Sequence, residues 1–218
     1  MELKNKKIAF LGDSITEGHG VADKNNIYCE RMRRECSLRD IYVDGIGGTR
    51  IARQTVPSEN ERYDKDFISR VDKIDKDADI VVVFGGTNDF GHGDAQIGSE
   101  NDDTPYTFYG ACNILCTKLI ERFPSAQIVF MGPLHRLHEN SLKGSRKTSD
   151  YGTLYDYVDV LKKVTRKYSI PFLDLLSVGG MTPFVKIQQD MYMPDGLHPN
   201  DDGHAKICEK LKGFLTSL

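Results

Sequence analysis

Short apolar runs rich in β-branched residues alternate with longer helical segments from one end of the chain to the other. The runs lie at residues 7–11, 41–43, 80–84, 127–131 and 171–175, and the helical segments lie at 28–36, 63–74, 107–123, 151–168 and 201–215. Parallel strands need long crossover connections, which are usually helices. The alternation therefore predicts an α/β fold in which five parallel strands are sandwiched between helices.

The size and charge of the chain narrow its class further. Its 218 residues, 39% of them hydrophobic, are enough for one well-filled core, and no repeat, low-complexity segment or linker interrupts them. We therefore expect a single domain over residues 1–218. The net charge of −3 leaves no basic surplus for a phosphate backbone, which argues against nucleic acid as a partner.

The lengths of the apolar runs and the spacing of the cysteines indicate the cellular compartment to expect. The apolar stretch near the N-terminus, residues 8–11, is shorter than the roughly 7 to 15 residues of a signal peptide, and the longest run, 80–84, is too short to cross a bilayer. The five cysteines include no C-x-x-C pair, which argues against a disulfide framework and a structural zinc site. We expect a cytoplasmic protein with reduced thiols and no integral membrane segment.

Polar or glycine-rich loops follow four of the predicted strands, at residues 12–14, 44–49, 85–89 and 132–135. In open α/β sheets, ligands bind outside the carboxyl ends of the strands. These loops should therefore converge at one edge and form the site.

Two loops at the same edge are longer than a strand–helix unit needs, and they carry opposite charges. Loop 90–105 has a net charge of −4 from Asp94, Glu100, Asp102 and Asp103, whereas loop 136–150 has +2 from Arg136, Lys143, Arg146 and Lys147 against Glu139 and Asp150. Three interpretations stay open: the loops pair with each other, they contact a polar substrate, or their charges are solvated.

A serine near the start and an Asp-x-x-His pair near the end of the chain have the chemistry of a serine hydrolase. Ser14 follows the first run, and His198 can act as the base that a serine hydroxyl needs to become a nucleophile. Asp195, three residues earlier, can accept a hydrogen bond from one ring nitrogen and leave the other facing Ser14.

Attack on an ester carbonyl also requires hydrogen-bond donors for the oxygen that becomes negative. Three groups at the predicted edge can supply them. They are the side-chain amide of Asn88, a backbone N–H in the glycine loop 45–48, and the N–H of Ser14 at the start of a helical turn.

The blocks Gly12-Asp13-Ser14, the glycine loop, Gly86-Thr87-Asn88-Asp89 and Asp195-x-x-His198 together resemble, in their order, those of the SGNH (GDSL-type) hydrolases. The resemblance spans nearly the whole chain. It implies a flavodoxin-like three-layer α/β/α sandwich, with Ser14 as nucleophile, His198 as base and Asp195 as its orienting partner. It also implies an oxyanion hole of Ser14, Gly48 and Asn88, although Asp44 lies near the place where the family often has Asn, so another glycine of 45–48 stays possible.

Other residues at the edge are candidates for binding substrate, namely Asp13, Arg50, His92 and His135. Asp13 has an alternative role as phosphoacceptor or metal ligand, and His135 an alternative role as a structural hydrogen-bonding residue. We interpret His204, on the last predicted helix, as a surface or packing residue.

These features favour a serine-dependent carboxylic ester hydrolase that works through an acyl-Ser14 intermediate and needs no metal or cofactor. The mean hydropathy of −0.43 and the absence of a broad apolar segment favour a small or water-soluble ester, such as an O-acetylated carbohydrate or a short-chain acyl ester. Two alternatives remain. One is a catalytically silent carbohydrate-binding or scaffold protein on the same fold. The other is a metal-dependent phosphoesterase using Asp13, Asp89 and His198. No oligomeric state is implied.

Overall fold

The strands form a single parallel sheet in a computed structural model that describes residues 1–145, 147 and 149–218. Their order is β2-β1-β3-β4-β5, the flavodoxin-like order. The bounds are β1 Lys7–Gly12, β2 Asp40–Gly45, β3 Ile80–Phe84, β4 Gln127–Met131 and β5 Phe172–Leu173. The predicted α/β class with five parallel strands is confirmed.

One or more helices follow each strand. They are α1 (Ser14–Glu17), α2 (Tyr28–Glu35), α3 (Phe67–Arg70), α4 (Thr87–His92), α5 (Phe108–Arg122), α6 (Leu154–Lys167), α7 (Leu175–Val178), α8 (Lys186–Tyr192) and α9 (Asp201–Ser217). Short 3-10 turns lie at Lys24–Asn26, Glu61–Asp64 and Val71–Lys73.

Two hydrophobic cores flank the sheet because successive side chains of a strand point to opposite faces. On β1, Ile8 and Phe10 belong to the core that also contains apolar residues of α1, α2 and α9. Ala9 and Leu11 belong to the other core, with residues of α3, α5 and α6. The three-layer α/β/α sandwich is thereby confirmed.

The predicted helix 63–74 is wrong as a continuous element. A 3-10 turn, α3 and a second 3-10 turn replace it. The predicted helix is interrupted at Asp66. Its side chain accepts a hydrogen bond from the Ser69 N–H at 2.9 Å and so caps the start of a new helix, α3. The short helices α4, α7 and α8 were not predicted, since so few residues carry little periodic signal. The helical turn expected to start at Ser14 is α1.

The last predicted strand, 171–175, is also shorter than expected. Only Phe172 and Leu173 pair with β4, and Asp174 already caps the start of α7. The end of this edge strand therefore comes two residues earlier than the apolar run suggests.

A tight strand-to-helix turn after β1 places Ser14 at the edge of the sheet. Gly12 is required there because a Cβ at this position would overlap the side chain of Thr16. The Asp13 carboxylate accepts a hydrogen bond from the Ile15 N–H at 3.0 Å, so Asp13 is the N-cap of α1 and Ser14 its first residue.

A buried arginine of α3 ties three segments of this edge together. The Arg70 guanidinium donates to the Asp44 carbonyl at 2.8 Å and to its carboxylate at 3.0 Å. It also donates to the Gly12 carbonyl at 3.0 Å and to the Thr49 hydroxyl at 3.1 Å. The ends of β1 and β2 and the glycine loop are thus held by a single side chain.

The sequence also predicted reduced cysteines and no integral membrane segment. The five cysteines are buried free thiols. Within residues 1–145, 147 and 149–218, the helices are all too short or too polar to cross a membrane.

Candidate active site

A cleft of about 1050 Å³ opens at the carboxyl edge of the sheet. Its walls come from α1, the glycine loop, the segment between β2 and α3, α4, and the loops before α6 and α9. Residues predicted for the site that line it are Ser14, Gly48, Arg50, Asn88, His92 and His198.

Ser14, His198 and Asp195 form a hydrogen-bonded chain in this cleft. The Ser14 hydroxyl lies 3.1 Å from Nε2 of His198, and Nδ1 of His198 lies 2.6 Å from the Asp195 carboxylate. Residues that are about 180 positions apart in sequence meet because β1 and the loop before α9 end at the same edge.

The turn at Asp195 fixes both its carboxylate and the imidazole. One carboxylate oxygen accepts the N–H of Leu197 at 2.9 Å and that of His198 at 2.7 Å, and the other faces Nδ1. Gly196 allows this turn because its φ is +77°. The Asp195 side chain is about half exposed, whereas that of His198 is mostly buried.

The protonation of this chain follows from its contacts. Hydrogen bonds from His198 and Leu197 more than offset burial, so that the pKa of Asp195 lies below its ordinary value and the group is a carboxylate. A carboxylate accepts only, so Nδ1 of His198 carries the proton and Nε2 is free to accept from Ser14.

Burial lowers the pKa of His198, because desolvation disfavours the imidazolium more than the nearby Asp195 carboxylate favours it. Its ring also lies 4.2 Å from that of His19, and the electrostatic interaction between the two imidazoles lowers the pKa of His198 further. The imidazole is therefore neutral at neutral pH and available as a base.

Three N–H donors belong to residues that line the cleft with Ser14, counting its own N–H. The Ser14 N–H lies in the first turn of α1 and has no intrahelical acceptor. The Gly47 N–H is already donated to the Glu17 carboxylate at 2.7 Å, whereas the Gly48 N–H has no partner among the described residues. Of the two adjacent glycines, Gly48 is the one with an available donor among the described residues.

The third donor is the Asn88 side chain. One of its two N–H bonds goes to the Thr49 carbonyl at 2.9 Å, which leaves the other for a ligand. Asn88 lies on α4, directly after β3, and this position brings its amide to the glycine loop.

The orientation of the Asn88 amide is set by a chain from Arg50 through His92. Arg50 Nη1 lies 2.9 Å from Nδ1 of His92, and Nε2 of His92 lies 3.2 Å from Oδ1 of Asn88. A guanidinium only donates, so Nδ1 accepts, and Nε2 donates its proton to Oδ1. The amide nitrogen then faces Thr49 and the cleft.

Two candidate substrate-binding residues lie outside the cleft. Asp13 is buried beneath it as the cap of α1, and burial raises the pKa of its carboxyl to about 7. His135 contacts the Glu139 carboxylate at 3.0 Å, which fits the structural alternative for this residue. Neither Asp13 nor His135 is among the described residues that line the cleft.

The charged loops do not pair with each other in the part of the chain that the structure describes. Asp94 accepts hydrogen bonds from the backbone of Thr55 and Val56, and Asp102 binds the hydroxyls of Ser99 and Thr107. Lys147 donates to the Tyr157 hydroxyl at 2.6 Å. Arg146, part of the predicted basic loop, lies outside the described residues.

The metal-site alternative required Asp13, Asp89 and His198 to meet. Asp89 is instead buried and accepts the N–H groups of Ile51 and Ala52 at 3.0 and 2.8 Å. The one set of metal-type ligands found among the described residues is His19, Asp195 and His198, which overlaps the serine–histidine chain. The predicted phosphoesterase set is thus not assembled.

Sequence reasoning missed several contributors to the site. Glu17 and His19 follow Ser14 within five residues and line the cleft. The link between His92 and Asn88 has an i,i+4 spacing that an α4 prediction would have detected. Arg70 gave no local signal, because its partners are distant in sequence. Arg136 was named as one of the charges of loop 136–150, but its contacts with Thr87 and Ser145 were not foreseen.

Solved structures with the same fold cover nearly the whole chain. A Lactobacillus plantarum protein is 31% identical, with a TM-score of 0.83 and 98% of each chain covered. A Bacteroides uniformis protein named as a GDSL-like lipase is 22% identical, with a TM-score of 0.71 over 98% of this chain and 97% of its own. An acetyl xylan esterase is 20% identical, with a TM-score of 0.63 over 95% of this chain and 98% of its own.

The last two similarities show the fold alone. No curated protein is significantly similar to the chain. The family assignment rests on the sequence itself, because residues 10–206 match the model of one family and contain Gly12-Asp13-Ser14, Asn88, Asp195 and His198. The chain belongs to the GDSL-like lipase/acylhydrolase family.

Proposed function

We propose that this protein is a serine-dependent carboxylic ester hydrolase that acts through an acyl-Ser14 intermediate. The observation that carries the proposal is the chain from the Ser14 hydroxyl through His198 to Asp195, with contacts of 3.1 and 2.6 Å in an open cleft. A binding or scaffold protein has no use for a hydroxyl that faces a neutral, oriented imidazole.

In the first half-reaction, Nε2 of His198 removes the Ser14 proton while the oxygen attacks the ester carbonyl carbon. The carbonyl oxygen becomes negative and accepts hydrogen bonds from the N–H groups of Ser14 and Gly48 and from the Asn88 amide. The intermediate then collapses, His198 protonates the leaving alcohol, and the acyl group stays on Ser14.

In the second half-reaction, His198 removes a proton from a water molecule that attacks the acyl-serine. The same donors stabilise the second oxyanion. Collapse releases the carboxylic acid and returns the proton from Nε2 to Ser14. Asp195 keeps its charge throughout and stabilises the imidazolium that forms in each half-reaction.

The lining of the cleft supports a polar substrate. Leu197 is its one aliphatic side chain among the described residues, and the other lining residues are charged, amide, hydroxyl, imidazole, tyrosine or glycine groups. A long acyl chain would find little apolar surface there. We therefore propose a small or water-soluble ester, with O-acetylated carbohydrates and short acyl esters as the leading classes.

Replacing Ser14 by Ala tests the nucleophile. We expect wild type to hydrolyse the shorter members of a p-nitrophenyl acetate-to-octanoate series equally well with and without EDTA. Ser14→Ala should lose roughly three orders of magnitude or more in kcat, because the acyl-enzyme cannot form. Steady-state rates, with circular dichroism to verify the fold, provide the measurement.

Ser58→Ala is the matched control for this substitution. Ser58 also lines the cleft, but its hydroxyl binds Asp64. This variant should keep its activity within a few-fold. Full activity in Ser14→Ala, or activity lost only in EDTA, would overturn the serine mechanism.

The pH dependence tests the base. Only neutral His198 accepts the Ser14 proton, so kcat/KM should rise with pH and reach half its maximum below about 6.5, the ordinary histidine pKa, because burial lowers the pKa of His198. In Asp195→Asn the midpoint should fall further, since the carboxylate raises the pKa of His198, and kcat should drop by roughly 100-fold or more. A profile that stays flat from about pH 8 down to the lowest pH at which circular dichroism shows the protein folded would contradict a histidine base.

Substitution of His92 tests the orientation of Asn88. His92→Phe removes the proton donor to the Asn88 carbonyl oxygen, which frees the amide to rotate. We expect kcat and kcat/KM to fall together by about tenfold while KM changes little, because the lost contact acts in the transition state. His92→Gln can accept from Arg50 and donate to Asn88, and it should recover much of the loss. A rise in KM alone would assign His92 to substrate binding instead.

A further inference from the structure

Three arginines of the described chain have almost completely buried side chains: Arg50, Arg70 and Arg136. Arg50 has the Asp64 carboxylate at 3.3 Å, and Arg70 has that of Asp44 at 3.0 Å. Arg136 differs, because no carboxylate among the described residues lies within ion-pair distance of its guanidinium. Among the described residues, this buried cation has no counterion at ion-pair distance.

The contacts of Arg136 orient the guanidinium without neutralising it. Nη1 donates to the carbonyl and the hydroxyl of Thr87, both at 3.0 Å, and Nη2 donates to the Ser145 hydroxyl at 2.7 Å. The Phe90 ring covers one face, with its centroid 5.3 Å from the guanidinium carbon. All of these partners are neutral, and they hold the guanidinium in a fixed plane.

The nearest acidic groups act on Arg136 only from a distance, and each is already engaged. Glu139 accepts from Tyr155 and contacts His135, and Asp195 contacts His198. Asp13, with a pKa raised to about 7 by burial, is only partly ionised at neutral pH. A guanidinium stays charged in proteins, so desolvation without a partner makes this position costly for the fold.

Arg136 lines the same cleft as Ser14 and His198. The three other cleft cations differ from it. Arg50 has the Asp64 carboxylate as partner, and Arg62 is exposed and pairs with Glu17. The Lys24 ammonium binds the carbonyl oxygens of Glu17 and Gly18 at 3.0 and 2.7 Å. Glu17 is the one acidic residue among the described lining. The cleft is therefore positively charged, and its least compensated charge, on Arg136, acts electrostatically on His198.

We propose that the ester hydrolysed at Ser14 carries a carboxylate group and that Arg136 binds it. This inference rests on the proposed function and names its substrate class. A single guanidinium in a fixed plane supplies one positive charge and a planar set of donors, which matches a singly charged planar carboxylate. The substrate carboxylate then supplies the counterion that Arg136 lacks among the described residues.

Matched pairs of esters test the proposal and distinguish the two sides of the ester. On the acyl side, p-nitrophenyl hemisuccinate is compared with neutral p-nitrophenyl pentanoate. On the alcohol side, 3-acetoxybenzoate is compared with neutral 3-acetoxybenzamide. We expect wild type to prefer the anionic member of one pair by about tenfold or more in kcat/KM.

Three variants assign that preference. The ratio within the pair should fall close to one in Arg136→Met, whatever the absolute rates, and take an intermediate value in Arg136→Lys, which keeps the charge but loses the planar donors. Arg62→Gln is the matched control, since Arg62 is a cleft arginine that already has a carboxylate partner. It should retain the wild-type ratio.

The outcomes separate this inference from the proposed function. Ser14-dependent hydrolysis with a wild-type ratio near one in both pairs overturns the carboxylate assignment and leaves the esterase intact. The absence of Ser14-dependent hydrolysis overturns the esterase, and calorimetry on Ser14→Ala then decides the anion site. If Ser14→Ala binds succinate or benzoate more tightly than the corresponding amides, and the double variant with Arg136→Met loses this preference, the result supports the anion site. Equal binding, or tighter binding of inorganic phosphate, overturns it.

Discussion

The buried guanidinium of Arg70 is the contact on which the geometry of the site depends. It joins the Gly12 carbonyl at the end of β1, Asp44 at the end of β2 and Thr49 after the glycine loop. Ser14 lies two residues after Gly12, and Gly48 directly precedes Thr49. Because a buried charge must keep its partners or bear a large desolvation cost, the spacing between nucleophile and glycine loop is fixed by the fold itself.

Burial sets the charges of the site as well as its shape. It lowers the pKa of His198, which keeps the imidazole neutral next to Ser14, and it raises that of Asp13 beneath the cleft to about 7. Asp195, about half exposed and bonded to two N–H groups, stays ionised. Asp13 and Asp195 thus differ in protonation because their surroundings differ. Arg136 completes the pattern with a positive charge that faces the cleft.

The sequence predicted the fold well because its signals are local. Strand runs, intervening helices and glycine turns each depend on neighbouring residues, and four motif blocks in order indicated the family. The predicted Ser14, Asp195 and His198 lie within hydrogen-bonding distance as a chain. Helix 63–74 was wrong because Asp66 caps a new helix within it. The contacts of Arg70 and Arg136 gave no comparable signal, since each depends on which loops meet in space. The contact of His92 with Asn88 is local, at i,i+4 spacing, and was missed because α4 was not predicted.

Covalent labelling of the nucleophile tests the central claim most directly. A fluorophosphonate reacts with a serine only where a base and an oxyanion hole activate it, and intact-mass and peptide analysis locate the adduct. The account predicts a single adduct on Ser14, none in Ser14→Ala, and much slower labelling in His198→Ala. A protein that hydrolyses esters yet is labelled at another residue, or is labelled equally fast without His198, would contradict it.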